Sequence, residues 1–156
     1  MASYDIVETT EQDYLYVTRK TSMKPEDIGK AMGSAYDEIG AFIAKNSIAP
    51  SGTALAVYYD YSEDEMELRA GVFIKPEDAA KADDRVKADR TPATRAAHAV
   101  HMGPYEGLQQ TYGTIMGEMQ WAGHRYGKPT WEVYHNDPDT TPPAELKTEI
   151  FIALAS

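Results

Sequence analysis

Residues 94–154 read TRAAHAVHMGPYEGLQQTYGTIMGEMQWAGHRYGKPTWEVYHNDPDTTPPAELKTEIFIAL. The order is a strand, a helix and two further strands. Thr94–His101 is a strand of small residues. Gly103-Pro104 opens the helix, and Tyr105, Leu108, Tyr112, Ile115 and Met119 recur on one face of it, as an amphipathic helix requires. Gly123 suits the position just past its end. Thr130–His135 and Leu146–Leu154 are strands joined by NDPDTTPPAE. In the middle of the first of these two strands stands Glu132, between Trp131 and Val133. A carboxylate among aromatic residues on an inward-looking strand needs a reason: a ligand, a reaction, or a structural partner.

Working outward, the first half repeats the pattern. Tyr4–Val7 is a short strand. Asp13–Lys20 alternates, with Tyr14, Tyr16 and Thr18 on one face and Leu15 and Val17 on the other. Pro25, Glu26 and Asp27 suit the first turn of a helix. Its stripe is Ile28, Met32, Ala35, Ile39 and Phe42, and Lys45-Asn46 ends it. After the APSG turn at Ala49–Gly52, Thr53–Tyr59 and Met66–Ile74 are strands joined by the acidic turn DYSEDE. VYYD at Val57–Asp60 falls near VYHND at Val133–Asp137, and GVFI at Gly71–Ile74 falls on EIFI at Glu149–Ile152.

These matches define an internal repeat, a duplicated strand-helix-strand-strand module. Strands joined by short turns pair antiparallel, so the fold class is α+β. The expected architecture is one pseudo-twofold antiparallel sheet with two long helices on one face. The groove between the helices is the expected pocket. A single domain spans 1–156, with a first repeat at about 4–75, a charged Ala-rich connector at 76–92 and a second repeat at 93–156. The connector allows a helical turn or a short edge strand around Val86.

Bulk properties narrow the function. With 42% hydrophobic and 26% charged residues, the 156-residue chain has the composition of a folded domain. A formal net charge of −10 argues against direct nucleic-acid contact, which needs a basic footprint; it serves solubility first, and its functional reading is attraction for cationic small molecules or a basic partner. The absence of Cys excludes disulfides and thiolate chemistry. Apolar runs are too short for a membrane span and the first residues do not read as a signal peptide, so a cytoplasmic location is expected. His98 and His101 point to opposite faces of a strand, and His124 and His135 are isolated, so no metal is expected. No phosphate loop or nucleophile elbow is present, and no cofactor is expected. The acidic turns do not have calcium-loop spacing.

The string HMGPYEGLQQTYG, then Trp121, PTWEVY, the NDP and TPPAEL turn and TEIFIAL resemble the GyrI-like small-molecule-binding domain, also the effector-binding part of AraC-type and multidrug-responsive regulators. The likeness is specific over about Thr94–Leu154 and holds only as a pattern in the first half. It implies one effector-binding domain with a cleft between the helices and Glu132 as the pocket acid. Unlike those regulators, the sequence shows no helix-turn-helix. Some family members look like hydrolases of cyclopropane-bearing compounds, and others inhibit gyrase.

Three functions follow. The first is binding of a small lipophilic molecule, cationic or neutral, in the cleft between the helices, with Glu132 as a buried acidic anchor. Tyr134 shares its strand face, Tyr105, Tyr112, Tyr36 and Phe42 form aromatic walls, and Trp121 closes one end. Ala56 and Gly71 leave room above the sheet. Eleven Tyr against 3 Phe suit a wall that is partly wet. The second is hydrolysis of a strained electrophile, with Glu132 as general base and Tyr105 or Tyr134 assisting. The third is a protein-protein inhibitor module. Monomer and dimer are both compatible with the sequence.

Overall fold

A computed structural model of the chain describes residues 3–61, 64–137 and 140–155. Ser62, Glu63, Pro138 and Asp139, in the two acidic turns read from the sequence, lie outside the described residues. The elements are β1 (Asp5–Glu8), β2 (Asp13–Ser22), α1 (Pro25–Lys45), β3 (Ala54–Tyr61), β4 (Glu65–Phe73), β5 (Lys87–Arg90), β6 (Arg95–Met102), α2 (Leu108–Trp121), β7 (Tyr126–Tyr134) and β8 (Lys147–Leu154). Short 3-10 turns occupy Pro76–Lys81, Tyr105–Gly107 and Pro143–Glu145. The fold is α+β with antiparallel pairing and two long helices, as the repeat predicts.

Two compact units divide the chain. One is Thr10–Pro92; the other joins the residues through Thr9 to those from Ala93 on. Within the first unit the strand order is β3-β4-β2-β5, and within the second it is β7-β8-β6-β1. The orders are equivalent, since each module places its last strand between its other two and adds a four-residue strand beside the first. The added strands do not follow chain order. β1 pairs with β6 through Asp5↔His98 and Glu8↔Arg95, whereas β2 takes β5 through Leu15↔Ala88. The connector thus supplies both the helical turn and the edge strand read around Val86, which is itself buried.

Each helix covers the strands of its own unit. Pro25 opens α1 with Glu26 and Asp27 in its first turn, where the aligned amides favour negative charge. Ala35 and Ile39 of α1 are buried against Leu15, Val17, Leu68 and Ala70. Complete burial of a side chain such as Ile39 contributes about 1.5–3 kcal/mol. In the second unit Ile115 and Met119 of α2 pack on Ala97, Ala99, Ile150 and Ile152. α2 begins at Leu108, not at Gly103-Pro104. Gly103 turns the chain with φ +126°, and Tyr105–Gly107 form a separate 3-10 turn.

Candidate ligand-binding site

Strand register places Glu132. On the helix-facing side of the second unit's sheet, Ala99, Ile150 and Glu132 form one cross-strand row, and His101, Thr148 and Tyr134 form the next on that side. The intervening residues point the other way. There Trp131 stacks on Phe151 at 5.2 Å, and Phe151 packs on His98 at 4.8 Å. Alternation along β7 therefore separates Glu132 and Tyr134 from Trp131 and Val133, as expected.

Glu132 is 4% exposed. Its Oε2 accepts a hydrogen bond from the Tyr112 hydroxyl at 2.5 Å, and its Oε1 accepts one from the Tyr134 hydroxyl at 2.6 Å. Tyr112 reaches it from α2, Tyr134 from two residues further along β7. An ionised carboxylate is acceptor-only, and two phenol donors suit it at distances typical of charge-assisted bonds. The Tyr105 ring meets that of Tyr134 edge-on at 5.6 Å. Burial raises the Tyr105 pKa, and the charges of Glu132 and then Asp137 raise it further. Tyr105 therefore remains a neutral hydroxyl at neutral pH, and among the described residues that hydroxyl makes no hydrogen bond. The second unit thus brings together Glu132, Tyr134, Tyr112 and Tyr105: one acid, three phenols and flat ring surfaces.

Other residues expected at the site stand differently. Trp121 closes nothing in this unit; it is 92% exposed. It lies two residues past Met119, about 200° round the helix from the buried stripe. Gly71 does not share a face with Ala56. Ala56 pairs with Ala70 on the helix side, whereas Gly71 pairs with Tyr16 and Leu55 on the other. A Cβ at Gly71 would lie 2.2 Å from the Leu15 carbonyl oxygen, so the missing side chain admits a neighbouring strand and leaves no space above the sheet. In the first unit the Tyr36 hydroxyl donates to the Leu55 carbonyl at 2.7 Å, and Phe42 packs against the α1 core.

Two polar clusters on the faces away from the helices escaped the sequence reading. The Arg69 guanidinium lies over the Tyr16 and Tyr59 rings at 4.3 and 4.6 Å and donates to Tyr14 Oη at 3.0 Å and Asp89 at 2.6 Å. Burial pushes the Tyr14 pKa well up, against the opposing hydrogen bond from Arg69. In the second unit Glu149 accepts from His98 at 3.0 Å and His135 at 2.7 Å. Burial works to raise the Glu149 pKa, and the bonds from His135 and His98 outweigh it to hold it low. The only available signal was alternation, which puts Arg69 and Tyr16 on one face but does not identify their partners. Among the described residues no group of three or more side chains is arranged to hold a metal ion, and no helix is long and apolar enough to cross a membrane.

The fold is thus a helix-covered antiparallel module repeated twice, with an acid held by tyrosines on one inner strand. The chain belongs to the GyrI-like small molecule binding domain family, whose model it matches over residues 2–155. Among solved structures, the EcmrR C-terminal domain is similar with a TM-score of 0.75 and 20% identity, covering 98% of this chain and 97% of that one. A hydrolase from Listeria innocua has a TM-score of 0.64 and 17% identity, covering 98% and 92%. The structure of SAV2435 bound to tetraphenylphosphonium has a TM-score of 0.68 and 10% identity, covering 98% and 94%. Likenesses at this identity establish the fold alone. No curated protein matches the chain.

Proposed function

We propose that the domain binds a small lipophilic cation, with the Glu132 carboxylate as its anchor and Tyr105, Tyr112 and Tyr134 as aromatic and hydroxyl contacts. The observation that carries this reading is the burial of Glu132 with both oxygens held by phenols. Phenols are neutral donors, so these two bonds orient a carboxylate and leave its charge in place. A buried negative charge in such a cradle favours a cation, and ring faces favour an apolar one. That SAV2435 was solved with tetraphenylphosphonium supports this choice of probe. The test is calorimetric titration of that cation into the protein and into Glu132→Gln. Loss of a charge-assisted contact costs about 1.5–3 kcal/mol, so affinity should fall roughly 10- to 150-fold. Equal affinities would reject the anchor role.

A second reading uses the same residues for hydrolysis, with Glu132 as general base. The Tyr105 hydroxyl, free of hydrogen bonds among the described residues, is the feature that favours it, because it is a proton donor in reserve. Against it, both Glu132 oxygens already accept hydrogen bonds, from Tyr112 and Tyr134. Binding therefore ranks first. Time-dependent loss of a strained electrophile, abolished by Glu132→Gln, would reverse the order.

A further inference from the structure

His101 takes no part in the contacts to Glu132, yet it is 8% exposed and both its ring nitrogens are engaged. Nε2 lies 2.9 Å from the Pro104 carbonyl oxygen, and Nδ1 lies 2.8 Å from Thr111 Oγ1. A carbonyl can only accept, so Nε2 carries a proton; in the neutral ring Nδ1 is an acceptor, and it shares the single Thr111 hydroxyl proton with the Gly107 carbonyl, which lies 3.3 Å from Oγ1. One imidazole thus ties the end of β6 to the residue before the Tyr105–Gly107 turn and to the first turn of α2 after it. Gly107 fits this arrangement, since a Cβ there would come within 3.1 Å of His101 Cε1. The ring fills the space a side chain at 107 would use.

The register gives the clamp a direction. His101 pairs with Thr148, and Thr148 pairs with Tyr134. The residue that grips the turn and the residue on which Tyr105 rests therefore belong to one row of the sheet. Tyr134 in turn donates to Glu132.

We propose that His101 is a positioning residue for the binding site, setting Tyr105 against Tyr134 through the Pro104 carbonyl and the Thr111 hydroxyl. The affinity part of its test rests on the binding reading above; the resonance part does not. Tetraphenylphosphonium is titrated into wild type, His101→Ala, His101→Gln, Tyr105→Ala and the His101→Ala/Tyr105→Ala double variant. His101→Ala should weaken binding roughly fivefold, the size expected for a lost neutral hydrogen bond. His101→Gln, which keeps an amide donor, should recover most of the loss. In the Tyr105→Ala background, His101→Ala should have no further effect, because the two act as a unit. An equal loss in both backgrounds would overturn the proposal.

Ring-labelled tyrosine NMR provides the probe-independent reading. Tyr105 ring resonances, displaced by the Tyr134 ring, should move toward free-tyrosine values in His101→Ala and return in His101→Gln, with Tyr14 unchanged. Stationary Tyr105 resonances would overturn the proposal. If they move but wild type binds no tetraphenylphosphonium, the positioning role stands and only the binding reading falls. Thr111→Val removes the Nδ1 contact, together with the hydroxyl's bond to the Gly107 carbonyl, and keeps the Nε2 contact; it supports the same cycle should His101→Ala fail to fold.

Discussion

Tyr112→Phe removes one hydroxyl and keeps the ring, so it leaves no cavity. The Glu132 oxygen it serves accepts at 2.5 Å in a residue 4% exposed, where water has little room to replace the donor. A hydrogen bond to a charged group contributes about 1.5–3 kcal/mol, and the site's burial favours the middle of that range, about 2 kcal/mol. For a chain of this size such a loss lowers Tm by about 4–8 °C. Urea unfolding, followed by circular dichroism, measures it directly. The same substitution in a Glu132→Ala background should cost clearly less, because the Glu132 acceptor is gone. Tyr134 is half-buried like Tyr112 and donates to the other Glu132 oxygen at 2.6 Å, so Tyr134→Phe should cost a similar amount, about 2 kcal/mol. A Tyr112→Phe cost below about 0.5 kcal/mol, or one that persists without Glu132, would show that the phenol does not hold the carboxylate.

Gly71→Ala forces a Cβ to 2.2 Å from the Leu15 carbonyl, so it should lose about 3 kcal/mol or more; an unchanged urea midpoint would contradict the close approach of β2 and β4. Thr148 is fully buried and its hydroxyl oxygen has no partner among the described residues, so Thr148→Val should raise stability by about 1 kcal/mol, and a fall would reveal a buried partner. Arg85 first, then Arg19, hold the Glu38 carboxyl down at about 2 by hydrogen bonding. A depressed pKa adds stability above the ordinary carboxylate value near about 4.3 and loses it as pH falls through about 2. Glu38→Gln should therefore be less stable than wild type at neutral pH and equal to it once Glu38 is protonated. A gap of constant size down to the lowest pH measured would contradict the ion-pair account.

The long elements were legible because burial imposes a period. The α1 stripe through Ala35 and Ile39 and the α2 stripe through Ile115 and Met119 are both observed. Alternation placed Tyr134 beside Glu132 for the same reason. The start of α2 was misjudged because Pro104 and Gly107 permit either a helix or a 3-10 turn, and the choice depends on where the His101 ring sits. The partner of β1 was not legible, since four residues of DIVE contain no pattern that distinguishes β6 from β2. Gly71 was misread because a small residue makes space or admits a neighbour, and only the register of β2 against β4 decides. Trp121 was misread by treating an aromatic residue as a wall without following its angle round the helix. The Tyr112–Glu132 contact lay between two elements twenty residues apart, beyond any local period.

The most direct test of the account uses two ions of one shape and opposite charge. Tetraphenylphosphonium and tetraphenylborate are titrated into the protein and into Glu132→Gln under one buffer. The account predicts that wild type prefers the phosphonium by at least roughly tenfold, about 1.4 kcal/mol, and that Glu132→Gln removes most of that preference. Equal binding of both ions by wild type, or a preference untouched by Glu132→Gln, would contradict it.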